Sequence, residues 1–247
     1  MRYLSRPSGQ EVNRMRGSRH RISLMAVGLV WMFASASADQ LVLWNFNDQT
    51  TNPTSGVYAS NARIVLIGGT TATFATGSPR DTASPNYGYN TTNYPTQGTN
   101  NLSAGIVFAV PTTGYYQVKV RFDVRWSNTA SKFVRLQYTT DGTNWTNGPQ
   151  LVAPGGDTWY SAGYGGLFEY TFTDVSAVEN NPNFAFRLVS EFDPATNQYA
   201  AAASGSSYAP RGTLRFDLVE VEAVPEPASL IALGTGLVGL WALRRRR

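Results

Sequence analysis

Asp81, Asp123, Asp157, Glu169, Glu191 and Asp193 are the side chains best suited to acid–base chemistry in this sequence. Past residue 38 there is no His, Cys or Met. An imidazole base, a thiol nucleophile, a disulfide and a Cys/His zinc site are therefore excluded from that part of the chain. Carboxylates alone suffice for glycoside hydrolysis, where two of them flank the scissile bond. No two of the six stand in a recognisable catalytic motif, so no catalytic residue is expected and a glycoside hydrolase is the alternative reading. No cofactor is expected either. Asp48 and Asp217 carry oxygens of the type that hold calcium, but no EF-hand or Asp-rich repeat accompanies them.

The aromatic residues suggest a second chemistry. Tyr87, Tyr89, Tyr94, Trp159, Tyr160 and Tyr164 lie in polar stretches, where flat rings can stack on sugars. This points to a body that binds polysaccharide without turning it over. Trp44, Trp126 and Trp145 are expected in the core.

A third group of residues suits recognition by a processing enzyme. Val224-Pro225-Glu226-Pro227 precedes an uncharged apolar run, 228–243, which ends in Arg244, Arg245, Arg246 and Arg247. Prolines two apart deny the chain helix and ladder hydrogen bonds, and Glu226 resists entry into a bilayer. As a helix the run spans about 24 Å, slightly short of a hydrocarbon core. Four arginines resist translocation and would keep the C-terminus cytoplasmic. At the other end, residues 1–21 hold six arginines, 22–33 are largely apolar, and Ala36-Ser37-Ala38 is an A-x-A site. These are the three parts of a secretory signal peptide, with cleavage expected between Ala38 and Asp39. Met15 would serve equally well as a start.

This three-part C-terminal tail resembles the PEP-CTERM sorting signal of exopolysaccharide-producing Gram-negative bacteria. The resemblance implies that an exosortase-type transpeptidase reads Pro225, Glu226 and Pro227 after signal peptidase has acted. It also implies transient anchoring in the inner membrane, then release to the cell surface or extracellular matrix. The match covers only 224–247. The expected organisation is a signal peptide (1–38), one folded domain (39–223) and a sorting tail (224–247).

The net charge of +4 misleads, because 10 of the 20 basic residues lie in the two ends. Residues 39–243 hold 10 basic and 15 acidic residues, a net −5, which gives no basis for nucleic-acid binding. This body must position whatever acts. Residues 116–126 alternate apolar and polar, which puts Tyr116, Val118, Val120, Phe122, Val124 and Trp126 on one face of a strand. Similar patterns mark strands at 41–46, 63–67, 71–74, 106–110, 132–138, 150–152, 168–172, 184–190 and 214–221, with Asp141-Gly142 as a hairpin signal. Residues 76–101, which include Pro79, Pro85 and Pro95, read as one long loop. Roughly ten strands and no amphipathic helix predict an all-β antiparallel sandwich. The stretch 133–145, a strand followed by Asp-Gly and a returning Trp, resembles jelly-roll sandwiches of the galactose-binding or carbohydrate-binding type.

Overall fold

The computed structural model describes residues 37–160 and 168–226. The expected signal peptide up to Ala36, Tyr164, and the tail from Pro227 through Arg247 lie outside them. Twelve strands form: β1 (Asp39–Trp44), β2 (Arg63–Ile67), β3 (Thr71–Thr76), β4 (Tyr87–Thr92), β5 (Gly105–Ala109), β6 (Tyr115–Trp126), β7 (Phe133–Thr139), β8 (Thr146–Val152), β9 (Thr158–Trp159), β10 (Phe168–Thr171), β11 (Ala185–Glu191) and β12 (Leu214–Pro225). They make two antiparallel sheets, so the all-β sandwich is as the alternation predicts. One sheet runs β2-β5-β11-β7-β8. The other runs β10-β6-β12-β4-β3, with β9 also on β6 and β1 also on β12.

The inner faces supply the core. Val118, Val120, Phe122, Val124 and Trp126 of β6 are fully buried, as are Phe108, Leu136, Phe186 and Phe216 from their strands. Rings pack in offset and tilted pairs, Phe108 with Phe186 at 5.0 Å and Phe122 with Phe168 at 4.7 Å between centroids. Trp44 is buried and donates its indole N–H to the Thr51 carbonyl at 3.1 Å.

β12 changes partner along one edge. Leu214–Phe216 pairs with β4, and Asp39–Trp44 of β1 takes over alongside Val219–Ala223. The switch falls at a bulge between Asp217 and Glu220, where Leu218 adopts a positive φ of 45°. The extra residue resets the alternation, so Phe216, Val219, Val221 and Ala223 all face inward. Lys119 and Arg121 of β6 pair with Glu220 and Glu222 of β12 across the outer face. Arg121 bridges Glu220 at 2.7 Å and Glu222 at 2.6 Å, and Lys119 bridges Glu222 at 3.1 Å.

The structure corrects the long loop predicted over 76–101, which contains β4. That strand holds no aliphatic side chain, and hydroxyls satisfy its interior: Thr91 Oγ1 donates to the Leu214 carbonyl at 2.7 Å and pairs with the Tyr94 hydroxyl. The short β9 is likewise additional.

Candidate functional site

The outer face of the five-stranded sheet carries a cleft of about 310 Å³. Period-two alternation turns Arg63, Val65, Val107, Ala109, Ala185, Arg187, Gln137 and Thr139 away from the core. Register then sets them in rows. Arg63, Ala109, Ala185 and Thr139 form one row across β2, β5, β11 and β7. Val65, Val107, Arg187, Gln137 and Asn147 form the next, ending on β8. Small apolar residues make the floor, and Arg63, Asn61, Pro182, Asn183 and Trp145 stand around it.

Trp145 is held by the hairpin between β7 and β8. Asp141 accepts backbone N–H bonds from Thr143 at 2.8 Å and Asn144 at 2.7 Å, plus the Asn144 side-chain amide at 2.6 Å. These bonds hold its carboxyl well below the usual carboxylate range. Gly142 follows at φ 78°, a conformation that suits glycine. The core position expected for Trp145 is corrected: it is half-buried, lines the cleft and lies under the Arg187 guanidinium, 4.2 Å from the ring centroid. The returning strand meets the sheet on its outer face there, so the ring has no access to the interior.

A hydrogen-bonded relay fixes the polar side. Arg187 Nε donates to Gln137 Oε1 at 2.7 Å, and Gln137 Nε2 donates to Asn147 Oδ1 at 2.6 Å. Burial pushes the ionisation of Arg187 down, and no carboxylate pairs with it among the described residues. One row away, Arg135 is neutralised by Glu191 at 2.6 Å, and Gln150 donates to the other Glu191 oxygen at 2.8 Å.

The aromatics singled out in the sequence do not gather at this cleft. The exposure expected of Tyr89 and Tyr94 is corrected: they are 8% and 5% exposed. β4 turns Tyr89 inward, 5.4 Å from Phe46 and 5.3 Å from Phe74. Tyr87 is half-buried on the same strand. Trp159, opposite Arg125 on β9, and Tyr160, packed on Trp126 and Phe168, lie across β12 and β6 from it.

The candidate acids are dispersed. Asp123 pairs with Arg80, Asp157 with Arg125, Glu169 with Lys119 and Glu191 with Arg135. Asp81 accepts from Asn47, and Asp193 caps its own turn. Asp48 bonds Thr50 in an exposed turn, whereas Asp217 is buried on β12. Among the described residues, no three acidic or histidine side chains converge in an arrangement that could hold a metal.

Sequence reasoning missed Arg63 in the cleft wall and Arg187, Gln137 and Asn147, which border the cleft beside Trp145. The signal was present: the alternation over 184–190 places Arg187 opposite Phe186 and Leu188, hence outside.

The expected sorting residues begin inside the sheet. Val224 sits opposite Tyr116 and Pro225 opposite Tyr115, and Glu226 N–H donates to the Gly114 carbonyl at 2.9 Å. β12 thus runs two residues past the expected domain boundary. A proline is tolerated at such a strand end, where its missing N–H leaves few ladder bonds unmade. At the other end of the domain Ala38 is exposed and Asp39 opens β1. No helix among the described residues is long and apolar enough to cross a membrane, and the predicted span 228–243 lies outside them.

No curated protein sequence matches the chain. Among solved structures, the chain is similar to the N-terminal CBM22-1–CBM22-2 tandem of Paenibacillus barcinonensis Xyn10C, at 13% identity and TM-score 0.47, over 78% of this chain and 48% of that one. It is also similar to the CBM22-1–GH10 modules of Clostridium thermocellum Xyn10B, at 9% identity and TM-score 0.41, over 76% of this chain and 29% of that one. A third similarity is to TmCBM61, at 12% identity and TM-score 0.35, over 68% of this chain and 90% of that one. The chain spans about half the length of the first and less of the second. The family model for the PEP-CTERM protein-sorting motif matches residues 223–247, so the chain carries that motif directly behind its β-sandwich body.

Proposed function

We propose that this is an exported surface or matrix protein whose β-sandwich binds polysaccharide and whose tail is read by an exosortase-type transpeptidase. Signal peptidase cuts between Ala38 and Asp39, which leaves β1 whole. The run 228–243 then holds the chain in the inner membrane, with Arg244, Arg245, Arg246 and Arg247 in the cytoplasm. Pro225, Glu226 and Pro227 are the recognition residues. The cleft on the five-stranded sheet is the binding surface. The carrying observation is Trp145, a half-buried ring fixed at the rim of an apolar floor and beside an ordered row of amide and guanidinium groups. Such a ring offers a sugar a hydrophobic face, and the row offers its hydroxyls partners.

The test joins both halves on the full chain. Expressed in an exosortase-bearing host, the native protein is recovered outside the cell at reduced mass, and Glu226→Ala stays membrane-bound with its tail. Native protein is retarded in gels containing a polysaccharide ligand, and Trp145→Ala is not. Retardation unaffected by Trp145→Ala would discard this cleft as the binding surface.

A further inference from the structure

Given that the cleft binds polysaccharide, we propose that its ligand is acidic, a glycan whose uronic-acid carboxylate is received by Arg187, which borders the cleft by stacking on Trp145, with Arg63 of the cleft wall as a second cation. Five of the ten basic residues between 39 and 243 are spent in ion pairs: Arg80, Lys119, Arg121, Arg125 and Arg135. Arg187 is not among them. Arg215 is the other arginine whose ionisation is pushed down by burial, and it bonds Asn90 Oδ1 at 3.1 Å and the Thr76 carbonyl at 2.7 Å. Arg187 spends only its Nε, on Gln137, so both terminal nitrogens have no acceptor among the described residues. A half-buried guanidinium that has lost water without gaining an anion is costly, and an arriving anion offsets part of that cost.

The geometry suits a carboxylate. Trp145 below and Gln137 beside it hold the guanidinium plane, so the planar donor pair is ordered before the ligand binds. Two parallel N–H bonds to one carboxylate are the natural use of that pair. Arg63 is exposed at the cleft wall in the neighbouring row, and no carboxylate lines the cleft. Asp141, four residues before Trp145, turns its oxygens into its own hairpin, where Thr139, Thr143 and Asn144 take them up. Glu191 is occupied by Arg135 and Gln150. Although residues 39–243 carry a net charge of −5, Arg187 and Arg63 make this face locally cationic, which attracts an acidic glycan, repels a basic one and gives a neutral one no electrostatic gain.

The probes are polygalacturonate and alginate, each compared with its carboxyl-reduced counterpart, and dextran sulfate compared with dextran. Binding to the full chain in detergent is measured by calorimetry. The expected result is that at least one of the two uronate polymers binds more tightly than its reduced form by roughly tenfold or more, the scale of one hydrogen bond to a charged group. Arg187→Gln erases that difference with an unchanged melting temperature, Arg187→Lys keeps part of it, and Arg63→Gln reduces it. Equal affinity for reduced and acidic polymers overturns the proposal and leaves polysaccharide binding standing. A preference for acidic polymers that persists in Arg187→Gln, or dextran sulfate binding that ignores the substitution, overturns it as general polyanion attraction. Binding to none of the six overturns it too, and absence of binding to any glycan, neutral ones included, removes the underlying function as well.

Discussion

Asp123 and Asp217 stand directly opposite each other on β6 and β12, and both are fully buried beneath the segment that leads into β4. Two like charges so placed repel. Arg80 neutralises Asp123 at 2.6 Å. Asp217 receives only the Ser78 N–H at 2.6 Å and the Leu218 N–H at 2.7 Å. Burial outweighs those bonds and, with Asp81 and Asp123 nearby, pushes Asp217 up to about 7. Asn86 Oδ1, buried and without a donor, borders the same space in front of Gly77. The unfolded value is near 3.8. Between about pH 4 and 7 the folded chain keeps a proton that the unfolded chain releases, so this group's contribution to stability falls as pH rises through that window. The ceiling is about 4 kcal/mol for a shift of about three pH units. Thermal melts at pH 5 and pH 7.5 check it: the native protein melts higher at pH 5, and Asp217→Asn loses most of that gain. An unchanged pH dependence in the variant would mean that Asp217 is ionised in the fold. None of this could be read from the sequence, where Asp123 is one polar residue in a regular alternation. What buries it is a loop whose fold depends on distant strands.

Among the elements, the strands best marked by alternation were legible almost to the residue, because one apolar face per strand is what a sandwich requires. β6 and β11 show this: 116–126 and 184–190 were expected, and Tyr115–Trp126 and Ala185–Glu191 form. β4 was not legible, since its sequence Tyr-Gly-Tyr-Asn-Thr-Thr buries hydroxyls and ring edges where aliphatics usually go. The cleft was half legible. The Asp141-Gly142 turn and the outward Arg187 follow from pattern, but only the pairing of β7, β8 and β11 brings Trp145 under that arginine. The glycines separate two kinds of constraint. Gly142 has a positive φ and open space around it, so Gly142→Ala costs only conformational strain, about 1 kcal/mol. At Gly77 a methyl group would collide with Asn86 and Asp217, and Gly77→Ala costs more, in the range of about 1–3 kcal/mol for overpacking. Urea melts of the two variants rank them. A Gly77→Ala protein as stable as Gly142→Ala would show that the loop over Asp217 moves freely.

Over the whole molecule, the body's two ends leave from one place. Asp39 pairs with Ala223, and Pro225 pairs with Tyr115. One wall of the cleft, at Pro111, lies near that same end. Tyr115 accepts the Asn180 N–H at 2.8 Å, and the next residue, Asn181, accepts the Thr112 N–H at 2.8 Å beside Pro111 of the cleft wall. From Pro111 to Tyr115 the chain can span no more than about 14 Å. On the proposed topology only Pro227 separates Glu226 from the apolar run.

Tethering would therefore hold the Pro111 wall of the cleft near the lipid headgroups, narrowing the headroom for a polymer chain to thread past. A short oligosaccharide would still slip in. In nanodiscs, tail-bearing protein should match detached protein in affinity for a trisaccharide yet fall well below it for the long polymer, and equal affinities would mean that the body stands clear of the bilayer. Severing the tail would then do two jobs at once, freeing the protein and unveiling its grip, so that adhesion begins only where the cell has let go.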